Sequence, residues 1–243
     1  MVCVLGDDMK SRSIAAPLAL IFLAVALLVA GSYYGLAISP PEIHMGDVQR
    51  IMYVHVPAAW TAMLVLSWAF VCAVAFLITA RWGWDNRLEA AIETSVMLCF
   101  LLSVQGAIWA KPTWGVWWDW DPRLTTVAVL LAAFLGIAAL RHFVDDPVKR
   151  ATWSAVATIV GYIDVPIVYF SVKWWNSLHQ KQSDMSSISR DFLIPLFTNF
   201  AGILLLMIAV MTIRSRAAAV RLEAEMAPPP QFEEEEIPMG VIA

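Results

Sequence analysis

Two histidines and a run of tryptophans are the residues most able to do chemistry in this chain. His55 stands in YVHVPAAW and His179 in VKWWNSLHQ. Between them lies WGVWWDWDPR, Trp114–Arg123, which packs four tryptophans, two aspartates and an arginine into ten positions. Indole rings, stacked or edge-on, bury large area and still offer an N–H. Such a cluster suits a large, flat, mostly apolar ligand. Neutral imidazole is the common ligand of haem iron, and two can fill both axial positions. A zinc site asks for three or four ligands that include acids or thiolates. Propionate-like carboxylates need cations at the rim, best of all bidentate ones. Arg50, five residues before His55, and Arg123, which closes the tryptophan segment, are placed for that, with Lys173 a weaker candidate. Ordinary juxtamembrane charge is the alternative reading of both arginines.

The elements that must position these groups follow from composition. Of 243 residues 60% are hydrophobic and only 15% charged, with mean hydropathy +0.69, which sets the class as an all-α integral membrane protein. A hydrocarbon core of about 30 Å needs roughly 20 apolar residues in a helix. Six segments qualify: Ile14–Ile38, Pro57–Ala80, Leu88–Trp109, Leu124–Leu140, Ala151–Val172 and Phe192–Ile213. The first is too long for a cleaved signal peptide and reads as a retained span. With six spans both termini share one side. That side takes ten of the sixteen Lys and Arg residues, which predicts cytoplasmic termini.

Parity then gathers the chemistry. The loops at 39–56, 110–123 and 173–191 share the opposite, periplasmic face. Three of the four histidines (His44, His55, His179) meet the tryptophans there, and His142 does not. An interfacial aromatic belt accounts for Trp82, Trp84 and Trp153 at the inner edge. A belt spreads its rings around all helix ends. It does not require Trp114, Trp117, Trp118 and Trp120 in one loop beside Gly115 and Pro122. If a helical turn forms there, Trp114, Trp117 and Trp118 share a face. Asp121, before Pro122, is biased to an extended conformation and can accept from an indole N–H or pair with Arg123.

Other features carry less. Cys3, Cys72 and Cys99 include no C-x-x-C pair; Cys72 and Cys99 read as small buried hydrophobes. Asp164, inside the fifth span two residues before Pro166, can take a freed backbone donor, the Gln105 amide or a proton. Glu89 and Glu93 are expected to pair with loop arginines. No basic, aromatic-interleaved stripe suggests nucleic acid. The organisation expected is a cytoplasmic segment 1–13, a transmembrane domain 14–213, and a cytoplasmic, Pro-rich, acidic and disordered tail 214–243 ending beyond Glu233–Glu236.

At this point the motifs resemble a known family. WGVWWDWDPR fits W-G-x-W-W-x-W-D-x-R, the tryptophan-rich signature of haem-handling proteins. IMYVHVPAAW and VKWWNSLHQ are similar to the histidine-bearing segments of the cytochrome c maturation protein C (CcmC) family. The likeness covers nearly the whole chain. It implies a haem-transfer subunit, not an enzyme, in the bacterial inner membrane. It implies haem b held non-covalently at the periplasmic face and presented to the haem chaperone CcmE. The implied partners are the ABC transporter subunits CcmA and CcmB and the small membrane protein CcmD. It implies axial ligation by His55 and His179. It also implies a haem platform and chaperone contact built from Trp114, Gly115, Trp117, Trp118, Trp120, Asp121 and Arg123. Asp119 and Pro122 occupy open positions of the signature, and the acidic tail lies outside the likeness. A bis-histidine electron-transfer cytochrome usually buries its ligands deep in the bundle, whereas these histidines stand at its lip. A haem-translocating permease is favoured by inverted repeats, and none is apparent.

Overall fold

The structure, a computed structural model, describes residues 13–179, 186 and 188–227. Helix α1 spans Ala15–Tyr33 and runs through one π-helical stretch to Ile38. A short 3₁₀ helix, Asp47–Ile51, leads into α2, Met52–Thr79. Then come α3 (Trp82–Trp114), α4 (Pro122–Phe143), α5 (Pro147–Tyr162), α6 (Asp164–Trp174) and α7 (Arg190–Met226). Six of these helical stretches are long and apolar enough to cross a membrane, α5 and α6 together forming the fifth.

Local chemistry sets the boundaries. Ala80 ends α2 and Gly115 ends α3 in the left-handed region, at φ +50° and +81°. Asp121 and Asp146 cap α4 and α5 through their side chains, each followed by proline at the first helical position. The fifth span breaks at Ile163. Pro166 has no N–H for the Tyr162 carbonyl, so the helix stops at Tyr162 and restarts at Asp164. The sixth segment, expected to end at Ile213, continues as helix to Met226. The disordered stretch expected from 214 is thus helical through its first thirteen positions, and 228–243 lie outside the described residues.

The bundle is built inside out relative to a water-soluble one. Phe22, Val29 and Ile78 are 80%, 65% and 77% exposed, as lipid-facing side chains are. The core is rich in small residues: Ala69, Cys72 and Ala73 of α2 meet Ala91 and Cys99 of α3 and Ala151 and Ala155 of α5. Small side chains let helix backbones approach, which is how helices associate where lipid is as apolar as they are. Cys72 and Cys99 take the buried, small-hydrophobe role expected of them.

One buried contact fixes the histidine-bearing start of α2. Pro57 cannot donate to the Tyr53 carbonyl four residues back. Asn199 of α7 supplies the missing donor, its Nδ2 lying 2.8 Å from that oxygen. The fit is tight. A Cβ on Gly31 of α1 meets Asn199 Oδ1 at 2.3 Å, and one on Gly35 meets the Tyr53 ring at 2.6 Å. α1, α2 and α7 are thereby locked together one turn from His55.

Candidate functional site: a histidine and tryptophan cluster at one end of the bundle

His55 lies in the first turn of α2, because the helix starts at Met52, five residues before the expected span. Its ring meets Trp109 edge-on, centroids 5.6 Å apart. Gly106, on the same helix as Trp109, lets the imidazole approach: a Cβ there sits 3.6 Å from His55 Cε1. Five residues further along α3, about 7.5 Å of axial rise, Trp114 meets the His179 ring edge-on at 6.4 Å. The last two turns of α3 therefore carry one tryptophan against each histidine. His55 is within electrostatic reach of both His179 and Arg123, so the structure converges these three groups.

Asp121 does something other than either role foreseen for it. Its backbone is extended as expected, at φ −58° and ψ +140°. Its side chain, however, takes neither an indole N–H nor the Arg123 guanidinium. Oδ1 accepts from the backbone N–H of Arg123 at 2.9 Å, and Oδ2 accepts from the backbone N–H of Leu178 at 2.7 Å. With 5% of its surface exposed, Asp121 clamps the start of α4 to the residue preceding His179. Both bonds are charge-assisted and stronger than neutral ones.

The tryptophan segment is not helical beyond Trp114. Gly115 donates its N–H to the Lys111 carbonyl and turns the chain away, so the shared face conditional on a helical turn does not form. Trp117, Trp118 and Trp120 instead stand on an irregular stretch, 58%, 36% and 78% exposed. Trp118 and Trp120 pack edge-on at 5.9 Å. Gly115 and Asp119 are exposed beside them.

The two propionate candidates differ. Arg50 is engaged locally, its Nε donating to Asp47 Oδ1 at 2.8 Å and its Nη1 to the Gly35 carbonyl. No ion pair holds the Arg123 guanidinium among the described residues, and its charged neighbour is Asp121. Lys173 lies over the rings of Tyr169 and Phe170, 5.8 and 5.6 Å from their centroids. His44 is exposed and donates its backbone N–H to Glu42. Backbone N–H groups of Met45 and His44 hold the Glu42 carboxyl below its ordinary value.

Among the described residues, several polar atoms at this end are buried without a hydrogen-bond partner, His55 Nδ1, Gln105 Oε1, Trp109 Nε1 and Thr125 Oγ1 among them. Gln105 flanks the imidazole closely enough to interact with it, but neither His55 Nδ1 nor Gln105 Oε1 makes a hydrogen bond of good geometry among the described residues. Buried polar atoms are normally satisfied, and exceptions ask for an explanation such as a ligand. Trp109 and Gln105, which reading the sequence did not place in the candidate site, stand beside His55. Gln105 and Trp109 are one helical turn apart, the spacing of a shared face, but both sit within an apolar run that gives them no prominence. No trio of His, Cys, Asp and Glu able to hold a metal ion forms among the described residues.

Asp164 makes no hydrogen bond among the described residues, and its Oδ2 is buried; neither the Gln105 amide nor a freed backbone donor reaches it. Glu89 and Glu93 do pair with arginines, but with helical ones: Arg141 and Arg221, and Arg214.

Fold and site together define a six-span helical membrane protein with paired histidines and a tryptophan-rich loop at one bundle end. The sequence profile of the family described as "Heme exporter protein C" matches residues 7–228, and the chain belongs to that family. It is 40% identical to the heme exporter protein C of Bradyrhizobium diazoefficiens over 194 residues, 77% of this chain and 73% of that protein. It is 36% identical to that of Haemophilus influenzae over 208 residues, 84% and 85% of the two chains. A putative cytochrome c biosynthesis ccmC-like mitochondrial protein of Marchantia polymorpha is 35% identical over 173 residues, 70% and 73% of the two.

Proposed function

We propose that this chain is the haem-binding and haem-transfer subunit of a cytochrome c maturation system. It holds haem b non-covalently through His55 and His179 at the periplasmic face of the bacterial inner membrane. It presents that haem to the chaperone CcmE, working beside CcmA, CcmB and CcmD. The single observation that carries the reading is the convergence of His55 and His179, each against a tryptophan of the same helix end, beside buried polar atoms that find no hydrogen-bond partner among the described residues. The names of its relatives, exporters of haem and cytochrome c biosynthesis proteins, support the cargo and the pathway.

The roles divide by position. His55, on a helix locked by Asn199, is the rigid ligand. His179, on a loop held through Asp121, is the adjustable one. Arg123 is the first choice for a propionate and Arg50 the second, since Arg50 must first leave Asp47. Trp109 and Trp114 line the porphyrin from one side. Exposed Trp117, Trp118 and Trp120 extend the surface on which the chaperone docks, with Gly115 letting the chain turn out. No residue here is a nucleophile with an adjacent base. The chain binds, orients and releases, and the covalent capture belongs to the chaperone and its cargo. ATP hydrolysis by the transporter subunits drives release of the loaded chaperone.

The test is the visible spectrum of the protein purified in mild detergent, beside a His55→Ala/His179→Ala variant. A low-spin haem spectrum is expected in the parent and its loss, or a high-spin one, in the variant. Equal low-spin haem content in both rules out the ligand pair. Rapid, reversible electron exchange of the bound haem with a quinone, without transfer to the chaperone, favours a cytochrome instead.

A further inference from the structure

The His55 ring rests against α3 at Gly106, where a Cβ would sit 3.6 Å from Cε1. Gln105 and Trp109, one helical turn apart, stand next to it. The histidine is half-buried, and Nδ1 is its buried nitrogen, without a hydrogen-bond partner among the described residues. Nε2 is thereby the nitrogen that can meet a ligand. A metal-bound imidazole carries its proton on the other ring nitrogen, and that N–H is normally donated to a neighbouring acceptor. Iron at Nε2 therefore puts a buried donor at Nδ1.

The neighbours narrow the choice of acceptor. Gly106 has no side chain, and an indole N–H only donates. Trp109 Nε1 is itself a buried donor without a partner among the described residues. The Gln105 amide is different, because its oxygen accepts and its nitrogen donates. Gln105 Oε1 is buried and unpaired beside an Nδ1 in the same condition. With no metal on Nε2, a neutral imidazole can carry its proton on either nitrogen, and the amide can turn either end toward it. With iron on Nε2 one pairing remains, in which Nδ1–H donates to Oε1.

We propose that Gln105 is the positioning residue of His55: in the haem-bound protein its Oε1 accepts from Nδ1–H, which fixes the tautomer that leaves Nε2 for iron and holds the ring in place. The proposal rests on the reading of His55 as an axial ligand. The bond makes the imidazole a stronger donor to iron, and hydrogen bonding around an axial ligand is one of the levers that set a haem potential. A stronger donor favours the ferric state and lowers that potential. The same bond gives a partner to two buried atoms at once, so ligation and the closing of Gln105 onto His55 support each other.

The experiment is titration of the full chain, stripped of haem in mild detergent, with haemin, followed by a spectroelectrochemical measurement of the midpoint potential. The parent, Gln105→Leu, Gln105→Glu and His55→Ala/His179→Ala are compared. Gln105→Leu keeps a similar volume and removes the acceptor, whereas Gln105→Glu keeps an acceptor and charges it. Gln105→Leu is expected to leave the thermal midpoint of the haem-free protein in place, since Oε1 makes no hydrogen bond to lose. It is expected to weaken haemin retention about 10–100-fold and to raise the haem potential. Gln105→Glu restores retention and lowers the potential below that of the parent. A thermal midpoint that falls with no change in potential means a structural role only and overturns the proposal. So do potentials that move the same way in both Gln105 variants, or parental retention and potential in Gln105→Leu. A double histidine variant that keeps the low-spin haem of the parent overturns it together with the ligand pair. Loss of that spectrum beside an unaltered Gln105→Leu removes Gln105 alone.

Discussion

The two ends of the bundle solve opposite problems with similar materials. At the end bearing the termini, charges are buried and answered. Arg141 of α4, with a side chain 7% exposed, meets Asp85 of α3 with two parallel bonds of 2.7 and 3.0 Å, Glu89 at 2.7 Å and Ser154 of α5 at 2.7 Å. Arg221 of α7 joins through Glu89. Among the described residues, Nε of Arg141 and Nε of Arg150 are left over. At the histidine end, polar atoms of His55, Gln105, Trp109 and Thr125, and of Gln49 and Tyr53 where α2 begins, are buried without a hydrogen-bond partner among the described residues, and Trp117 and Trp120 are exposed. Arg123 and Arg141 are on one helix, eighteen residues and about 27 Å apart. One is bound by carboxylates from another helix, and the other has no ion pair among the described residues. On the proposed reading, the first end serves assembly and the second serves a ligand.

That contrast is broken most forcefully at Arg141. Arg141→Ala leaves Asp85 as a buried, unpaired carboxylate and Glu89 with Arg221 alone, which costs about 3–5 kcal/mol. A large drop in thermal midpoint in detergent is expected, with haem spectrum per folded molecule unchanged. If the midpoint stays put and the spectrum changes, the two ends are not separate in function. Next in size is Asn199→Leu, which leaves the Tyr53 carbonyl buried without its donor, at a cost of about 1–3 kcal/mol. Because Tyr53 is two residues from His55, this variant is expected to lower both the midpoint and the haem retained.

Asp121→Asn sharpens the comparison further. Aspartate offers an acceptor on each oxygen, whereas asparagine keeps one carbonyl oxygen and turns a donor toward the other N–H. The variant can cap α4 or hold Leu178, but not both. Loss of one such bond is worth about 1 kcal/mol. Faster amide exchange at Leu178, with a weakened His179 ligand band in the haem spectrum, is expected beside a midpoint nearly unmoved. Unchanged exchange at Leu178 removes the clamp from the account.

Much of this was legible because membrane physics writes in long words. Twenty apolar residues make a span, and loop parity alone put His55, His179 and the tryptophans on one face, as the structure has them. What stayed hidden depends on single atoms meeting across helices. Nothing near Asn199 in sequence says that it completes the hydrogen bond Pro57 cannot make. Asp121 was visible as a capping residue before proline, but its second acceptor bond reaches 57 positions along the chain. Trp109 is lost among apolar neighbours, although its ring meets that of His55. The continuation of α7 to Met226 was missed because its charged face looked like the end of a span. That face is where Arg214 and Arg221 reach Glu93 and Glu89.

The smallest expected change in stability is the most informative about hand-over. Trp120 is 78% exposed and packs only edge-on against Trp118, which is itself part of the open surface. Truncating it removes almost no buried area, so Trp120→Ala is expected to move stability by less than about 0.5 kcal/mol. Trp114→Ala, by contrast, removes the ring against His179 and is expected to weaken haem retention. If exposed tryptophans form a docking surface, Trp120→Ala keeps the parent haem spectrum and loses transfer to the chaperone, since aromatic anchors dominate binding at protein interfaces. Transfer from purified, haem-loaded protein to added chaperone, followed by covalent haem staining, separates the two steps. Normal transfer from Trp120→Ala means the ring is an interfacial anchor and the chaperone docks elsewhere. Lost haem in the same variant means the open segment folds over its cargo, and the division between inner and outer tryptophans fails.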